Sequence, residues 1–531
     1  MKRCVFSVFS VLIISLSAAF SPYAQAQSAY EIESQLSRQA IKYSGRSFNT
    51  ERLRLAYEER GFQPIWLRNG VLNQQGRELV DELTNSYRDG LDPGEYLGGV
   101  RGFSEQKIDD SEATNLELAL SNAFLTLGYD LFSGVTTPSV TDPNIVIKRK
   151  PLNAKQWLIG AADNGAPAMF RALRPSHPQY AQLRQMLAGY RSLLLRGGWP
   201  EISKGGTLKP GMNDPRVSEM RANLTARGYD SLEVAEPTIY DDGLTEVVKH
   251  FQKRHGLDAD GVAGPATFRA LNVTAETRVD QLAINLERWR WLPRELGKNH
   301  VLVNQAGYEL FMNQNGKTID RRRVIVGKPF HQSPMFSDEI IYAEFNPTWT
   351  VPTSIAGKEM LPKIRDNPNY LEARGYKLYT SWNASAKPAN PYAIDWSTVS
   401  SNRFPYRIVQ GPGPKNALGQ VKFIFPNKFS VYLHDTPARS LFSRTGRAFS
   451  HGCIRVDKPL DFARKIYSLQ GGINPKKING IVKSKKQTRV NLKRKLPVHL
   501  AYFTAWINED GIPLFFEDVY KRDRLVGKYL L

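Results

Sequence analysis

Apolar residues recur at two different periods along this chain, and the change of period near His300 limits the fold more than any other feature. Before it the spacing is close to 3.6. Leu72, Leu79, Val80 and Leu83 lie within 70–85, and 52–59 and 115–132 repeat the pattern. After it, short β-type runs take over. Residues 301–304 and 308–312 flank Gln305-Ala306-Gly307, as strands flank a hairpin turn. Residues 323–327, 340–345, 421–425 and 429–434 continue the series, and 501–520 form a last pair turning at 508–511. One layer of structure cannot serve both periods. A chain of 531 residues has room for roughly two to four domains with cores of their own. The expected class is therefore multidomain α+β.

The ends and the charge set the compartment. Lys2 and Arg3 precede an apolar run of 5–20, Pro22 breaks it, and Ala24-Gln25-Ala26 has the small-x-small form of a cleavage site. Residues 1–26 thus read as an export signal, with a retained membrane anchor as the alternative. Formal charge is +21, or +19 once Lys2 and Arg3 are gone. Such a balance calls for an acidic partner, and export argues against nucleic acid. Of the two cysteines, Cys4 leaves with the signal. Cys453 is then a lone thiol, unable to form an internal disulfide and suited to chemistry. No run has zinc-ligand spacing, and His250 and His255, five apart, read as surface residues.

Texture divides the chain further. Residues 27–204 read as a helical scaffold. From 205 to 273 three short helices are expected: one from Pro215 to Gly228, one over 245–255, and one opened by Pro265 after the glycine-rich run 256–264. Val248, Phe251, Gln252, Gly256, Leu257, Asp260, Gly261, Gly264, Pro265, Thr267 and Leu271 resemble a three-helix peptidoglycan-binding module. These are mostly core and turn positions, so they support the fold more than glycan binding. Residues 274–299, with Arg288, Trp289, Arg290 and Trp291, read as a helical linker packing on the scaffold. Residues 300–531 form the β domain.

The chemistry concentrates there. On a strand ending at His434, Tyr432 and His434 share one face and Val431 and Leu433 the other. Nineteen residues on lies Cys453, in Ser450-His451-Gly452-Cys453-Ile454-Arg455. A thiol near its ordinary pKa of about 8.5 is mostly protonated at neutral pH, and an imidazole can take its proton. Gly452 permits close backbone approach, so amides around Gly452 and Cys453 suit an oxyanion hole. Asp457 reads as the cap of a helix with Pro459 in its first turn.

The span from His434 to Arg455 resembles the signature of the YkuD-type L,D-transpeptidase catalytic domain: a histidine, a spacer, then Ser-His-Gly-Cys. Asn416-Ala417-Leu418-Gly419 resembles an upstream pattern of that family. The longer arrangement, with 346–352 and Thr504-Ala505-Trp506, is similar to its YcbB-like branch. The resemblance implies a cell-envelope enzyme, periplasmic or anchored in the inner membrane by its N-terminal segment. It would act on peptidoglycan stems and glycan and make 3→3 cross-links with release of D-alanine. Cys453 would be the nucleophile and His434 the general base and acid, oriented by the Asp435 backbone carbonyl. His451 and Gly452 would line the oxyanion side, and Tyr432, Ser450, Arg455 and Trp349 would contact substrate. No metal or cofactor is required, and cell-wall synthesis proteins are further partners. The aromatic stretch about 360–410 would be a lid. Two alternatives stay open: another acceptor, meaning water or a protein lysine, or a wall-binding scaffold without catalysis.

Overall fold

The computed structural model describes residues 22–43, 46–98, 100, 108–229, 234–383 and 385–531. The expected signal and Cys4 fall largely in 1–21, outside the described residues. Among the described residues no helix is long and apolar enough to cross a membrane.

Contacts separate two units. The first takes in residues up to Ser86, Asp92–Tyr129 and Leu152–Leu173. It is helical, with Glu51–Glu59, Gln74–Thr84 and Ala154–Asn164 among its elements. A carboxylate organises it: buried Glu117 accepts the N–H groups of Ile65, Trp66 and Leu67 at 2.5, 3.0 and 3.0 Å and the Tyr57 hydroxyl at 2.7 Å. Two antiparallel strand pairs, Ala40–Tyr43 with Arg46–Asn49 and a short hairpin, interrupt the helices of a stretch whose spacing predicts mostly helix. In the hairpin, Leu67–Arg68 pairs with Val71–Leu72. Its turn is Asn69-Gly70, both at positive φ, the pair that a two-residue hairpin favours.

The second unit holds Tyr87–Leu91, Asp130–Pro151 and Arg174–Leu531. Its three-helix module comprises Pro215–Ala226, Asp242–Arg254 and Pro265–Leu271, packed around Val217, Met220, Leu224, Val248, Phe251 and Leu271. Gln252 ties its turn together. Nε2 donates to Asp260, Val262 and Thr267, and Oε1 accepts the Gly261 N–H at 2.9 Å. The motif residues of this module thus build its fold. His255 is no free surface group: its ring stacks on Phe251 with centroids 3.9 Å apart, while His250 is exposed.

Helix α1 (Ala275–Trp291) follows, buried on nearly all sides. Arg288 meets Asp523 at 2.5 Å, Arg290 meets Glu287 at 2.9 Å, and Trp289 stacks on Phe503. Its partners are Pro178–Leu195 and the segment after the last long strand.

The β domain contains β1 (Asn299–Asn304), β2 (Glu309–Gln314), β3 (Lys317–Gly327), β4 (Phe336–Phe345), β5 (Val421–Ile424), β6 (Leu433–His434), β7 (Ala448–Ser450), β8 (Ile454–Val456) and β9 (Thr488–Ala501). Strand order is β7-β3-β8-β6-β5-β4-β9-β1-β2, and β2 returns to β3, so among the described residues the ladder closes on itself with β7 as its outer strand. Helix α2 (Pro459–Gln470) contributes Phe462, Ala463, Ile466 and Tyr467 to the same core as Val301, Val324, Leu433, Ile454 and Val498. Asp457 does not cap α2. The cap is Lys458 at φ 47°, and the Asp457 carboxylate instead binds Arg323 at 2.8 Å. Pro459 disfavours helical geometry in the residue before it, which moves the boundary one position. The expected strand 429–434 shrinks to Leu433–His434, because Ser430 turns to φ 54° and Asn427 ties the loop to Phe425 and Val431.

Between β4 and β5 lies an inserted subdomain. Its strands Tyr376–Tyr379, Arg407–Gln410 and Trp349–Thr350 pair in that order. Val351, Met360, Leu361, Ile364, Leu378, Trp396, Phe404 and Ile408 form a core of its own.

Candidate active site

Parallel pairing of β6 with β8 sets Leu433 opposite Ile454 and His434 opposite Arg455. The Ile454 N–H donates to the Tyr432 carbonyl at 3.1 Å, which brings Cys453 alongside Tyr432. Leu433 and Ile454 are buried in the core. Alternation then turns Tyr432, His434, Cys453 and Arg455 to the other face, as neighbours across strands about 4.8 Å apart. The eighteen residues between His434 and Cys453 are absorbed by a loop, the short turn Arg439–Ser443 and strand β7.

His434 is buried, and its Nδ1 donates to the Asp435 carbonyl at 2.6 Å, leaving Nε2 as the acceptor nitrogen. Burial pushes its pKa down to about 3, helped by Arg455 and Lys422 and opposed by the Asp435 bond. It is a neutral imidazole at neutral pH. The Asp435 carboxylate has a different task, accepting the N–H groups of Gln420 at 2.8 Å and Thr436 at 2.7 Å. The turn above it explains Asn416–Gly419. The Asn416 amide donates to Pro347 and Gly411, and its Oδ1 accepts the Leu418 N–H. Gly419, at φ 60°, leaves no room for a Cβ, which would fall 2.3 Å from Asp435 Cγ.

Cys453 is half-buried, with Sγ 3.8 Å from the Ser430 carbonyl. Burial raises its pKa, while Tyr432 and Arg455 pull the other way. Burial thus opposes charge on both groups, on the thiolate and on the imidazolium alike. Ser450 clamps the loop: its Oγ donates to the Cys453 carbonyl at 2.5 Å and accepts the Gly452 N–H at 3.1 Å. Gly452 sits at φ 110°. Its amide is therefore engaged, whereas the Cys453 N–H has no partner among the described residues.

Arg455 makes no ion pair among the described residues, and its buried Nε is unpartnered. Lys422 is held by Glu344 at 2.9 Å. His451 is exposed and leaves the thiol for the insertion, with Nε2 2.5 Å from Glu359 Oε1 and its ring 5.1 Å from that of His331. Trp349 packs inside the insertion near Tyr376. Sequence reasoning missed Ser333, Glu359 and Lys422. Ser333 and Glu359 reach the site from 119 and 92 residues away, so no local pattern marks them.

Residues 298–491 match the family model described as "L,D-transpeptidase catalytic domain" (YkuD). Residues 213–271 match "Putative peptidoglycan binding domain", and residues 51–187 match "Scaffold domain". A "Putative L,D-transpeptidase" of Haemophilus influenzae is 36% identical over 261 residues, 49% of this chain and 50% of the relative. The match thus spans about half the length of that curated relative. The N-acetylmuramoyl-L-alanine amidase CwlM of Mycobacterium tuberculosis is 35% identical over 80 residues, 14% of this chain and 20% of the relative. Among solved structures, an L,D-transpeptidase (Yku) from Stackebrandtia nassauensis aligns at 13% identity, covering 57% of this chain and 96% of that one, with a TM-score of 0.22. So low a TM-score carries no argument about function.

Proposed function

The chain carries an L,D-transpeptidase catalytic domain of the YkuD type, and from that premise we propose that it forms 3→3 cross-links in peptidoglycan through a thioester on Cys453. The observation that carries this reading is the pairing of β6 and β8. It sets His434, with Nδ1 fixed on Asp435, on the same face as Cys453.

His434 Nε2 takes the thiol proton as Sγ bonds to the carbonyl carbon at the L-centre of the third stem residue. Burial disfavours charge on both the thiol and the imidazole, which favours a general-base step in which charge develops during attack. The bond from that carbonyl to D-alanine breaks, and the proton passes from His434 to the departing amine. A side-chain amine of a second stem then attacks the thioester, gives its proton to His434, and Sγ leaves and recovers it. The Cys453 N–H stabilises the oxyanion in both halves. Absence of a hydrogen bond between His434 and Cys453 among the described residues fits an enzyme whose catalytic geometry tightens only with substrate.

Arg455, unpaired beside the thiol, binds a stem carboxylate, and Tyr432 walls the same face. The inserted subdomain covers the site and excludes water, which favours the amine as acceptor. The three-helix module holds glycan. The order of scaffold, inserted module and catalytic domain supports a place in the YcbB-like branch. Export through 1–26 puts the activity in the cell envelope, where cell-wall synthesis proteins are its partners.

The reading is tested by incubating the protein with tetrapeptide stems and weighing the products. Dimers formed with loss of D-alanine support transpeptidation. Tripeptide alone shifts the activity to hydrolysis, and no product at all sinks the proposal.

A further inference from the structure

Ser333 lies between β3 and β4 and is fully buried, 0% exposed. Its Oγ donates to the Gly452 carbonyl at 2.7 Å and accepts the Gly327 N–H at 3.0 Å. The Ser333 N–H donates to Tyr520 Oη at 3.3 Å, and that hydroxyl donates to the Gly327 carbonyl at 2.6 Å. The Ser333 carbonyl accepts from Arg522 at 3.1 Å, and Arg522 is anchored on Asp142 at 2.8 Å. The hydroxyl is thus the tip of a buried, satisfied network and not a free rotor.

The peptide bond from Gly452 to Cys453 is trans, as are all those among the described residues. In a trans peptide the C=O and the N–H point in opposite directions. Holding the Gly452 C=O on Ser333 therefore turns the Cys453 N–H away from Ser333. Ser450 fixes both flanks of this bond, through the Gly452 N–H and the Cys453 carbonyl. What remains is one unpaired amide on the nucleophile itself. A fixed, unspent donor beside the attacking atom is what a developing oxyanion needs.

We propose that Ser333 is a positioning residue that aims the Cys453 N–H at the carbonyl oxygen of the acyl donor. The proposal rests on Cys453 being the nucleophile. As the Sγ–C bond forms, the carbonyl π electrons move to oxygen and meet that N–H. As the C–N bond breaks, they return, and the leaving nitrogen takes the thiol's proton from His434. Ser333 touches neither substrate nor proton.

Two electrophiles separate this role from general support of the fold. A carbapenem acylates the thiol through an oxyanion and opens its ring C–N bond. Iodoacetamide alkylates it at a saturated carbon with no oxyanion. In Ser333→Ala, carbapenem acylation should fall about 100-fold while alkylation stays at the wild-type rate. Ser333→Thr, which keeps the hydroxyl, should restore acylation. If the alanine variant does not give a cooperative melt, Ser333→Cys, with its weaker S–H donor, should slow acylation alone. Equal slowing of both electrophiles, or unchanged acylation in a folded variant lacking the hydroxyl, overturns the role of Ser333. A wild-type protein that is alkylated at Cys453 but not acylated there sinks the nucleophile reading itself and this proposal with it.

Discussion

His434 Nδ1 lies 2.6 Å from the carbonyl oxygen of Asp435, the next residue in the chain. The bond selects the tautomer with Nε2 unprotonated and points that nitrogen along the face occupied by Cys453. Because the acceptor is main chain, the Asp435 carboxylate is free to serve as an anchor. His434→Ala should then lower turnover by about 100-fold or more while leaving the fold intact. Asp435→Asn should do the reverse, costing about 1–3 kcal/mol of stability through a lost amide acceptor and changing turnover far less. Steady-state rates and melting curves of the two variants check this. Equal loss of turnover in both would remove the distinction.

Gly419 carries the same argument into the turn above. Its φ of 60° is strained for other residues, and a Cβ would fall 2.3 Å from Asp435 Cγ. Gly419→Ala should cost about 1–3 kcal/mol and displace Asp435. Denaturant unfolding measures it, and a wild-type midpoint would contradict it.

Glu359 and His451 join the inserted subdomain to the loop that holds the thiol, at 2.5 Å. Glu359→Gln should loosen that link and let water in. The fraction of acyl-enzyme hydrolysed to tripeptide should rise several-fold, at little cost in stability, since an exposed pair contributes about 0–1 kcal/mol. Deleting 365–405 would be a poorer test, because it cuts through the subdomain's own core. Product ratios by mass read the outcome, and an unchanged ratio would remove the subdomain's proposed role.

Burial shifts the thiol and the imidazoles in opposite directions. Burial raises the Cys453 pKa, so alkylation by iodoacetamide should be slow at pH 7 and climb at a higher pH than for a free thiol. His434 is lowered to about 3 and His499 to about 4, both chiefly by burial. The unfolded chain binds protons near pH 6.5 and the folded one does not, so stability is full above that value. It should fall as pH drops from about 6.5 to about 3, levelling off only below both folded values. Melting temperatures across that range test it; a flat profile would contradict the burial of these two rings.

Much of the candidate site was legible because it is local. His434, Ser450, Gly452 and Cys453 lie on two short segments whose alternation and glycine can be read directly. The module's turn was legible for the same reason, since Gln252, Asp260, Gly261 and Thr267 all bond within fifteen residues. Strand β9 was not. Its first half is Thr-Arg-Val-Asn-Leu-Lys-Arg-Lys and its second half contains Pro497, yet it pairs with β4 on one side and β1 on the other. Its basic side chains point outward, so charge concealed a central strand. The Lys458 cap was hidden by Asp457, a better capping residue by type, whose carboxylate Arg323 had already engaged.

The central claim is that Cys453 carries the acyl group. The most direct measurement stops a reaction with tetrapeptide stems in acid and maps the adduct by mass spectrometry. The account predicts the stem, less D-alanine, on the peptide containing Cys453, absent in Cys453→Ala along with every dimer. Cross-linked dimers still formed by Cys453→Ala, with no adduct on the wild-type thiol, would contradict it.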